Sequence, residues 1–145
     1  MNTKGNCLCG AIEFNITDIG ENIYQCHCSL CRKQGGSASN TGTVVPLNHL
    51  QWTKGQENIR SWVKDSGFRS DFCSICGSPV PNPLRDFDYY WIPVGTLEDG
   101  PYHIVANIYT NSKASWSHVA ATGKQFDTMP EFEEFISMLR CSGHA

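Results

Sequence analysis

The sequence carries seven cysteines in closely spaced groups, and an eighth, Cys141, stands apart from them. The groups are Cys7-x-Cys9, Cys26-x-Cys28-x-x-Cys31 and Cys73-x-x-Cys76. Two sulfurs separated by one residue of extended chain point to the same side, and a Cys-x-x-Cys turn also brings two sulfurs together. Gly77 follows Cys76 and tolerates the positive φ that such a turn uses. Because zinc takes four ligands of this kind in a tetrahedron, the spacing predicts metal binding.

Two arrangements of these ligands are compatible with the spacing. In a zinc ribbon, the pair Cys28-x-x-Cys31 and the pair Cys73-x-x-Cys76 would bind one zinc ion together. The number of residues between the two pairs is larger than is usual for such a site. In the alternative, one closed site uses Cys7, Cys9, Cys73 and Cys76, and a three-sulfur site uses Cys26, Cys28 and Cys31. The alternative keeps the compact triplet together and leaves a fourth coordination position open, as a catalytic zinc site requires.

The composition is that of one globular domain in a reducing compartment. The chain has 145 residues, 40% of them hydrophobic and 11% aromatic, and it contains no apolar run long enough to span a membrane. The first residues lack the apolar region of a signal peptide, which predicts a cytoplasmic protein whose eight cysteines serve metal binding or catalysis rather than disulfides. A net charge of −3 without a basic stripe argues against a nucleic-acid partner. Nothing in the composition indicates an oligomeric state.

The elements that must position the cysteines are predicted to be mostly strands. Residues 11–16 alternate between apolar and polar side chains, residues 43–45 form a short apolar run ending at Pro46, and residues 89–94 and 103–109 are rich in strand-forming residues. Residues 59–64 and 68–73 flank Asp65-Ser66-Gly67, which predicts a hairpin. Glycine, proline and asparagine recur at short intervals, and this punctuation favours an all-β fold over βαβ units.

One helix is predicted near the C-terminus, where apolar residues follow i, i+3, i+4, i+7 spacing at Phe132, Phe135, Ile136 and Leu139. Thr128 with Glu131 predicts a capping box before it, and Gly143 lies just past its end. The sequence therefore predicts a single mainly β domain over residues 1–145. Cysteine knuckles and a C-terminal helix packed on small sheets complete this prediction.

The cysteine segments and three others resemble one known family, in order and over nearly the whole chain. They are GNCLCGA at residues 5–11, CHCSLCRK at 26–33, FCSICGS at 72–78, VGTL at 94–97, and IY at 108–109 followed by SKASW at 112–116. The family is that of the glutathione-dependent formaldehyde-activating enzymes, whose fold is similar to that of the Mss4 exchange-factor-like proteins. The resemblance implies small, stacked, curved antiparallel sheets, a structural zinc on Cys7, Cys9, Cys73 and Cys76, and a second, catalytic-type zinc on Cys26, Cys28 and Cys31.

The activity that the resemblance implies is the reversible addition of glutathione to formaldehyde, a carbon–sulfur lyase reaction when read backwards. The expected cofactors are two zinc ions per chain, and the expected partners are a glutathione-like thiol and an aldehyde. Three thiolates make a zinc site a poor Lewis acid but suit a soft sulfur ligand, which favours binding of the substrate thiol over activation of the carbonyl. Asn107 stands where the family often has histidine, and Ser115 where it often has proline, so a proton-transfer group supplied by that histidine would be missing.

Few other residues are candidates for the site. Arg32 and Lys33 follow Cys31 and could hold a substrate carboxylate, and the planar guanidinium of Arg32 matches a carboxylate better. Trp116 could line a pocket. His27 lies between two ligands and is expected to make a structural hydrogen bond. Two alternatives to an enzyme remain open, namely a zinc module that binds thiols without turnover and a protein-interaction domain.

Overall fold

The computed structural model describes residues 1–141, whose backbone is organised mainly by short strands. The strands are β1 Thr3–Asn6, β2 Glu13–Ile16, β3 Asn22–Cys26, β4 Asn40–Pro46, β5 Leu50–Lys54, β6 Ile59–Val63, β7 Arg69–Cys73, β8 Asn82–Pro83, β9 Tyr89–Pro93, β10 His103–Ile108 and β11 Lys124–Gln125. The helices are α1 Ser29–Gly35 and α2 Phe132–Arg140. The mainly β class with small sheets and a C-terminal helix is thereby confirmed. Neither helix has the length and apolar character needed to cross a bilayer.

The chain forms two compact units, each built from two separate segments. The first unit comprises Met1–Ile19 and Val44–Asp99, and the second comprises Gly20–Thr43 and the described part of Gly100–Ala145. The prediction of a single domain over residues 1–145 stays a prediction. Each unit contains one of the predicted cysteine sites, so the two units are described in turn.

The first unit is built on antiparallel pairs. Strand β2 lies between β1 and β5 in a three-stranded sheet, and β6 pairs with β7 so that Ile59 faces Cys73. This second pairing confirms the predicted hairpin. Strand β9 ends at Pro93, as predicted, and pairs with β8. Proline ends a strand naturally because it has no backbone N–H to donate to a partner.

The first unit buries its apolar side chains in two clusters. One contains Phe14, Ile16, Ile19, Val45 and Ile92, and in it the rings of Phe14 and Trp52 meet edge to face at 5.6 Å. The other contains Cys7, Ile12, Cys73 and Val80. Two cysteines are thus part of the hydrophobic core, where close packing fixes the position of their side chains.

The second unit contains parallel pairings that the alternating sequence pattern did not indicate. Strand β10 is parallel to both β3 and β11, whereas β3 is antiparallel to β4. In the β3–β10 register, Ile108 pairs with Cys26, so both strands end at the same edge of the sheet. This edge is where the Cys26–Cys28 segment leaves β3.

Helix α2 packs on this sheet, as predicted, through Phe135, whose ring lies 4.8 Å from that of Tyr24. The side chain of Asn22 donates to the carbonyl of Met138 at 2.8 Å and so satisfies an acceptor in the last turn. The predicted capping box is wrong. The helix begins only at Phe132, and its N-cap Glu131 makes no side-chain capping bond. The predicted terminator Gly143 lies outside the described residues.

Candidate metal centres

The four-cysteine group consists of the sulfurs of Cys7, Cys9, Cys73 and Cys76, and they lie within 4.8 Å of one another. The Sγ atom of Cys9 is 3.7 Å from that of Cys7 and 3.9 Å from that of Cys73. A zinc–sulfur distance of about 2.3 Å in a tetrahedron places neighbouring sulfurs about 3.8 Å apart. The two measured sulfur–sulfur distances are therefore close to those of a tetrahedral zinc site.

Two turns, each closed by the N–H of a glycine, present these sulfurs. In the first, the N–H of Gly10 donates to the carbonyl of Cys7, and in the second, the N–H of Gly77 donates to the carbonyl of Cys73. Both glycines have positive φ, +80° and +77°, which confirms the conformation predicted for Gly77. Cys7 and Cys9 lie in a turn after β1, so the extended geometry assumed for this pair is wrong. The turn brings the two sulfurs together nonetheless.

Backbone N–H groups point at the sulfurs of the four-cysteine group. The N–H of Ile12 donates to the sulfur of Cys7 at 3.3 Å, and the N–H of Ile75 donates to that of Cys73 at 3.4 Å. A bond from the backbone of Ser78 lowers the pKa of Cys76 to about 6. Such donors stabilise thiolate, the form that binds metal.

The pKa of Cys9 departs in the opposite direction, to about 11. The largest single influence, a bond from the backbone of Ala11, lowers it, but desolvation and three neighbouring thiols together raise it further. Four sulfurs this close cannot all be charged unless a cation compensates them, because like charges repel. A divalent metal ion supplies that compensation.

The three-cysteine group consists of the sulfurs of Cys26, Cys28 and Cys31, also within 4.8 Å of one another. Cys26 ends β3, Cys28 is the N-cap of α1, and Cys31 lies in the first turn of that helix. The sulfur of Cys28 accepts from the N–H of Cys31 at 3.4 Å, so it does the work of a capping side chain. Helix α1 was missed by the sequence reasoning, because its short stretch has no apolar periodicity.

Two thiols of the three-cysteine group have pKa values that are shifted in opposite directions. Cys31 bonds to Cys26 and lowers the pKa of Cys26 to about 7, while the same bond raises the pKa of Cys31. No fourth His, Cys, Asp or Glu joins this group among the described residues. Its donor set therefore suits a thiophilic cation with one coordination position left for another ligand.

The grouping of sulfurs in the structure matches the alternative arrangement rather than the zinc ribbon. Seven cysteines can thus hold metal in two groups. The assignment of one group to structure and the other to catalysis stays a prediction at this point.

His27 and Asn107 form a buried pair beside the three-cysteine group. His27 is 2% exposed and Asn107 0% exposed, and Nε2 of His27 lies 3.0 Å from Oδ1 of Asn107. The expected structural hydrogen bond of His27 is therefore present. Its partner, Asn107, was noted in the sequence only as a departure from the resembled family, because a contact across 80 positions leaves no local signal.

Tyr109 is a residue whose place the sequence did not reveal. It follows β10 directly with φ of +56°, a conformation that costs a non-glycine residue about 1–3 kcal/mol. Bonds from the N–H of Tyr109 to Thr128 and from the N–H of Ser112 to Tyr109 hold this conformation. Partial burial, and after it the charges of the three-cysteine group, raise the pKa of the Tyr109 phenol, which keeps it protonated at neutral pH. The charges of these sulfurs influence the phenol, which places Tyr109 in their neighbourhood.

The predicted substrate contacts differ in their surroundings. Arg32 is half-buried, and its Nε atom is buried with no hydrogen-bond partner in the described part of the chain. Lys33 is exposed on α1. Trp116 is 66% exposed, unlike a core tryptophan. Cys141 is exposed and belongs to neither sulfur group.

Comparison with known proteins identifies the family of the chain. The sequence profile of the family described as "Glutathione-dependent formaldehyde-activating enzyme" matches residues 2–112. The crystal structure of a Rhodobacter sphaeroides protein, a structural genomics target, is similar with a TM-score of 0.55 and 26% identity, covering 67% of this chain and 89% of that one. The sequence has no significant match among curated proteins. Because the profile spans most of the chain and both sulfur groups, the protein belongs to the glutathione-dependent formaldehyde-activating enzyme family.

Proposed function

We propose that the protein is a zinc-dependent carbon–sulfur lyase or synthase that acts on the adduct of a glutathione-like thiol and an aldehyde, such as S-hydroxymethylglutathione. The observation that carries this proposal is the three-cysteine group, a metal-binding set with one position free among the described residues. Membership of the family supports glutathione and formaldehyde as the substrate class. The protein is expected to act in the cytoplasm, where thiols are kept reduced.

The two sulfur groups are proposed to differ in role. Zinc held by the four-cysteine group would take all four ligands from the chain and would stabilise the fold. Zinc held by the three-cysteine group would supply a coordination position that accepts the substrate thiol and favours its thiolate. The remaining steps fall to the residues of the chain.

The chemistry is a nucleophilic addition. The substrate sulfur attacks the carbonyl carbon, a carbon–sulfur bond forms, and the electron pair of the carbonyl π bond moves to oxygen. That oxygen needs a hydrogen-bond donor while its charge develops and a proton afterwards. The hydroxyl of Tyr109 is the proposed donor, because it stays protonated and lies within the field of the three sulfurs. The reverse reaction removes the proton and breaks the carbon–sulfur bond.

Arg32 is proposed to hold a carboxylate of the substrate. Arg32 is half-buried and follows Cys31 directly on α1, so its guanidinium brings a positive charge to the helix that carries two of the three sulfurs. A substrate carboxylate would accept two parallel hydrogen bonds from its guanidinium. Lys33 and Trp116 are proposed as outer contacts of the same substrate.

The proposal is tested by the exchange between S-hydroxymethylglutathione and its components, measured by exchange NMR. The zinc-loaded protein is expected to accelerate this exchange in proportion to its concentration. The Cys28→Ser variant should lose the acceleration, and the Cys141→Ser variant, whose cysteine lies outside both groups, should retain it.

Two other outcomes discriminate the alternatives. Saturable thiol binding without acceleration would make the protein a thiol-binding zinc module. Neither binding nor acceleration would contradict the proposed function and favour an interaction domain.

A further inference from the structure

Beside the three-cysteine group, the buried side chains of Asn107 and His27 are linked by hydrogen bonds that begin at the backbone carbonyl of the exposed Thr122. The Nδ2 atom of Asn107 donates to the carbonyl of Thr122 at 3.2 Å, and Oδ1 of Asn107 lies 3.0 Å from Nε2 of His27. Neither side chain is open to solvent. No catalytic step described above uses these groups.

The bond to Thr122 determines how Asn107 faces His27. A backbone carbonyl can only accept, so the amide nitrogen of Asn107 must point at Thr122 and its oxygen at His27. The oxygen can only accept in turn, which puts the hydrogen of the imidazole on Nε2. The Nδ1 atom is buried without a partner among the described residues, and in this tautomer it presents a lone pair there rather than an unpaired N–H.

These side-chain hydrogen bonds attach the Cys26–Cys28 segment to β10 at a second point. The backbone N–H of His27 already donates to the carbonyl of Ile108 at 3.0 Å, and Ile108 pairs with Cys26 in the sheet. The side-chain bond of His27 to Asn107 adds an anchor on the same strand. His27 thus lies between two sulfur-bearing residues and is held by both its main chain and its side chain.

We propose that Asn107 and His27 are positioning residues for the three-cysteine group, and that their hydrogen bond holds Cys26 and Cys28 in the metal-binding geometry. Groups that orient metal ligands in this way typically change metal affinity by about 10–100-fold when they are removed. The pair acts through orientation, because an amide does not exchange protons with an imidazole under these conditions. This inference rests on metal binding by the three-cysteine group, which is part of the proposed function, but not on the thiol–aldehyde reaction.

The test measures zinc affinity by competition with a chromophoric chelator. The step that belongs to the three-cysteine group is identified as the one missing in Cys28→Ser. His27→Leu and Asn107→Leu are expected to weaken this step about 10–100-fold and to leave the step of the four-cysteine group unchanged. His27→Gln retains a side-chain N–H donor and should keep most of the affinity.

Asn22→Leu is the matched control, since Asn22 is also a buried asparagine of the second unit, but its side chain bonds to Met138 in α2. It should lower stability without changing the zinc affinity of the three-cysteine group. If a leucine variant fails to fold, Asn107→Ser replaces it, because the shorter serine side chain does not bring an acceptor to His27. This variant is expected to show the same loss of zinc affinity.

Unchanged affinity in folded His27→Leu and Asn107→Ser would overturn the inference, as would an equal loss in Asn22→Leu. Absence of any Cys28-dependent zinc step in the wild-type protein would instead contradict the proposed function. The two failures are therefore distinguishable.

Discussion

The two sulfur groups should contribute unequally to stability, because they close chain segments of different length. The four-cysteine group joins Cys9 to Cys73, 64 positions apart, whereas Cys26 and Cys31 are five positions apart. The loop-closure relation for cross-linked chains gives about 4 kcal/mol for the longer loop and about 2 kcal/mol for the shorter one. An unfolded chain can still hold zinc through the short loop, and binding to the unfolded state reduces the stabilisation that a ligand provides.

Cys76→Ser and Cys28→Ser make a matched comparison, since both cysteines are intermediate in burial. We expect Cys76→Ser to lose about 2 kcal/mol more free energy of unfolding than Cys28→Ser. This is a large share of a typical domain stability of about 5–15 kcal/mol. The measurement is urea unfolding followed by tryptophan fluorescence, with zinc present, without chelator and at one pH, because thiolate ligation depends on both metal and protons.

Cys141→Ser serves as the control. Its cysteine is exposed and belongs to neither group, so its effect should stay within about 0.5 kcal/mol. A loss for Cys28→Ser equal to or greater than that for Cys76→Ser would refute the reasoning from loop length. A greater loss for Cys28→Ser would also reverse the proposed assignment of structural and catalytic roles.

Three further predictions follow from the site. The pKa values of Cys26, about 7, and Cys76, about 6, are lowered, so these thiolates form readily at neutral pH and take up protons as the pH falls through those values. Zinc content measured after dialysis should therefore fall on acidification and recover at neutral pH, and retention of all zinc at acid pH would contradict thiolate ligation. Tyr109→Phe should lower kcat for adduct exchange by about 10²–10⁴-fold with thiol affinity unchanged, whereas an unaltered kcat would remove Tyr109 from the mechanism. Arg32→Ala should raise the KM for glutathione about tenfold or more, and Lys33→Ala, its neighbour on α1, should raise it less; equal effects would argue against a specific carboxylate contact.

Local features of the fold could be predicted from the sequence. Two strand-forming runs around a short turn predict the β6–β7 hairpin. The apolar spacing of α2 predicts a helix that packs on a sheet. The positive φ of Gly77 follows from its place after a Cys-x-x-Cys turn. In each case, the signal and the structure lie within a few residues of one another.

Features that depend on distant contacts could not be predicted. The spacing of the cysteines identified them as ligands but left two pairings open, because only the folded chain brings Cys9 to Cys73. The parallel pairing of β3 with β10 has no local signature in the sequence. The neighbourhood of Tyr109 and the three sulfurs, and the hydrogen bond between His27 and Asn107, therefore could not be predicted. Helix α1 was missed for another reason, since its seven residues carry no apolar periodicity.

The central claim, that the three-cysteine group holds a metal ion with a free position for a thiol, is tested most directly by titrating glutathione into the cobalt-substituted protein. The sulfur-to-cobalt and ligand-field absorption bands report the ligands of each ion. We predict a saturable change in these bands in the wild-type protein and no change in Cys28→Ser. Bands that do not respond to glutathione in fully cobalt-loaded wild-type protein, or an equal response in Cys28→Ser, would contradict the claim.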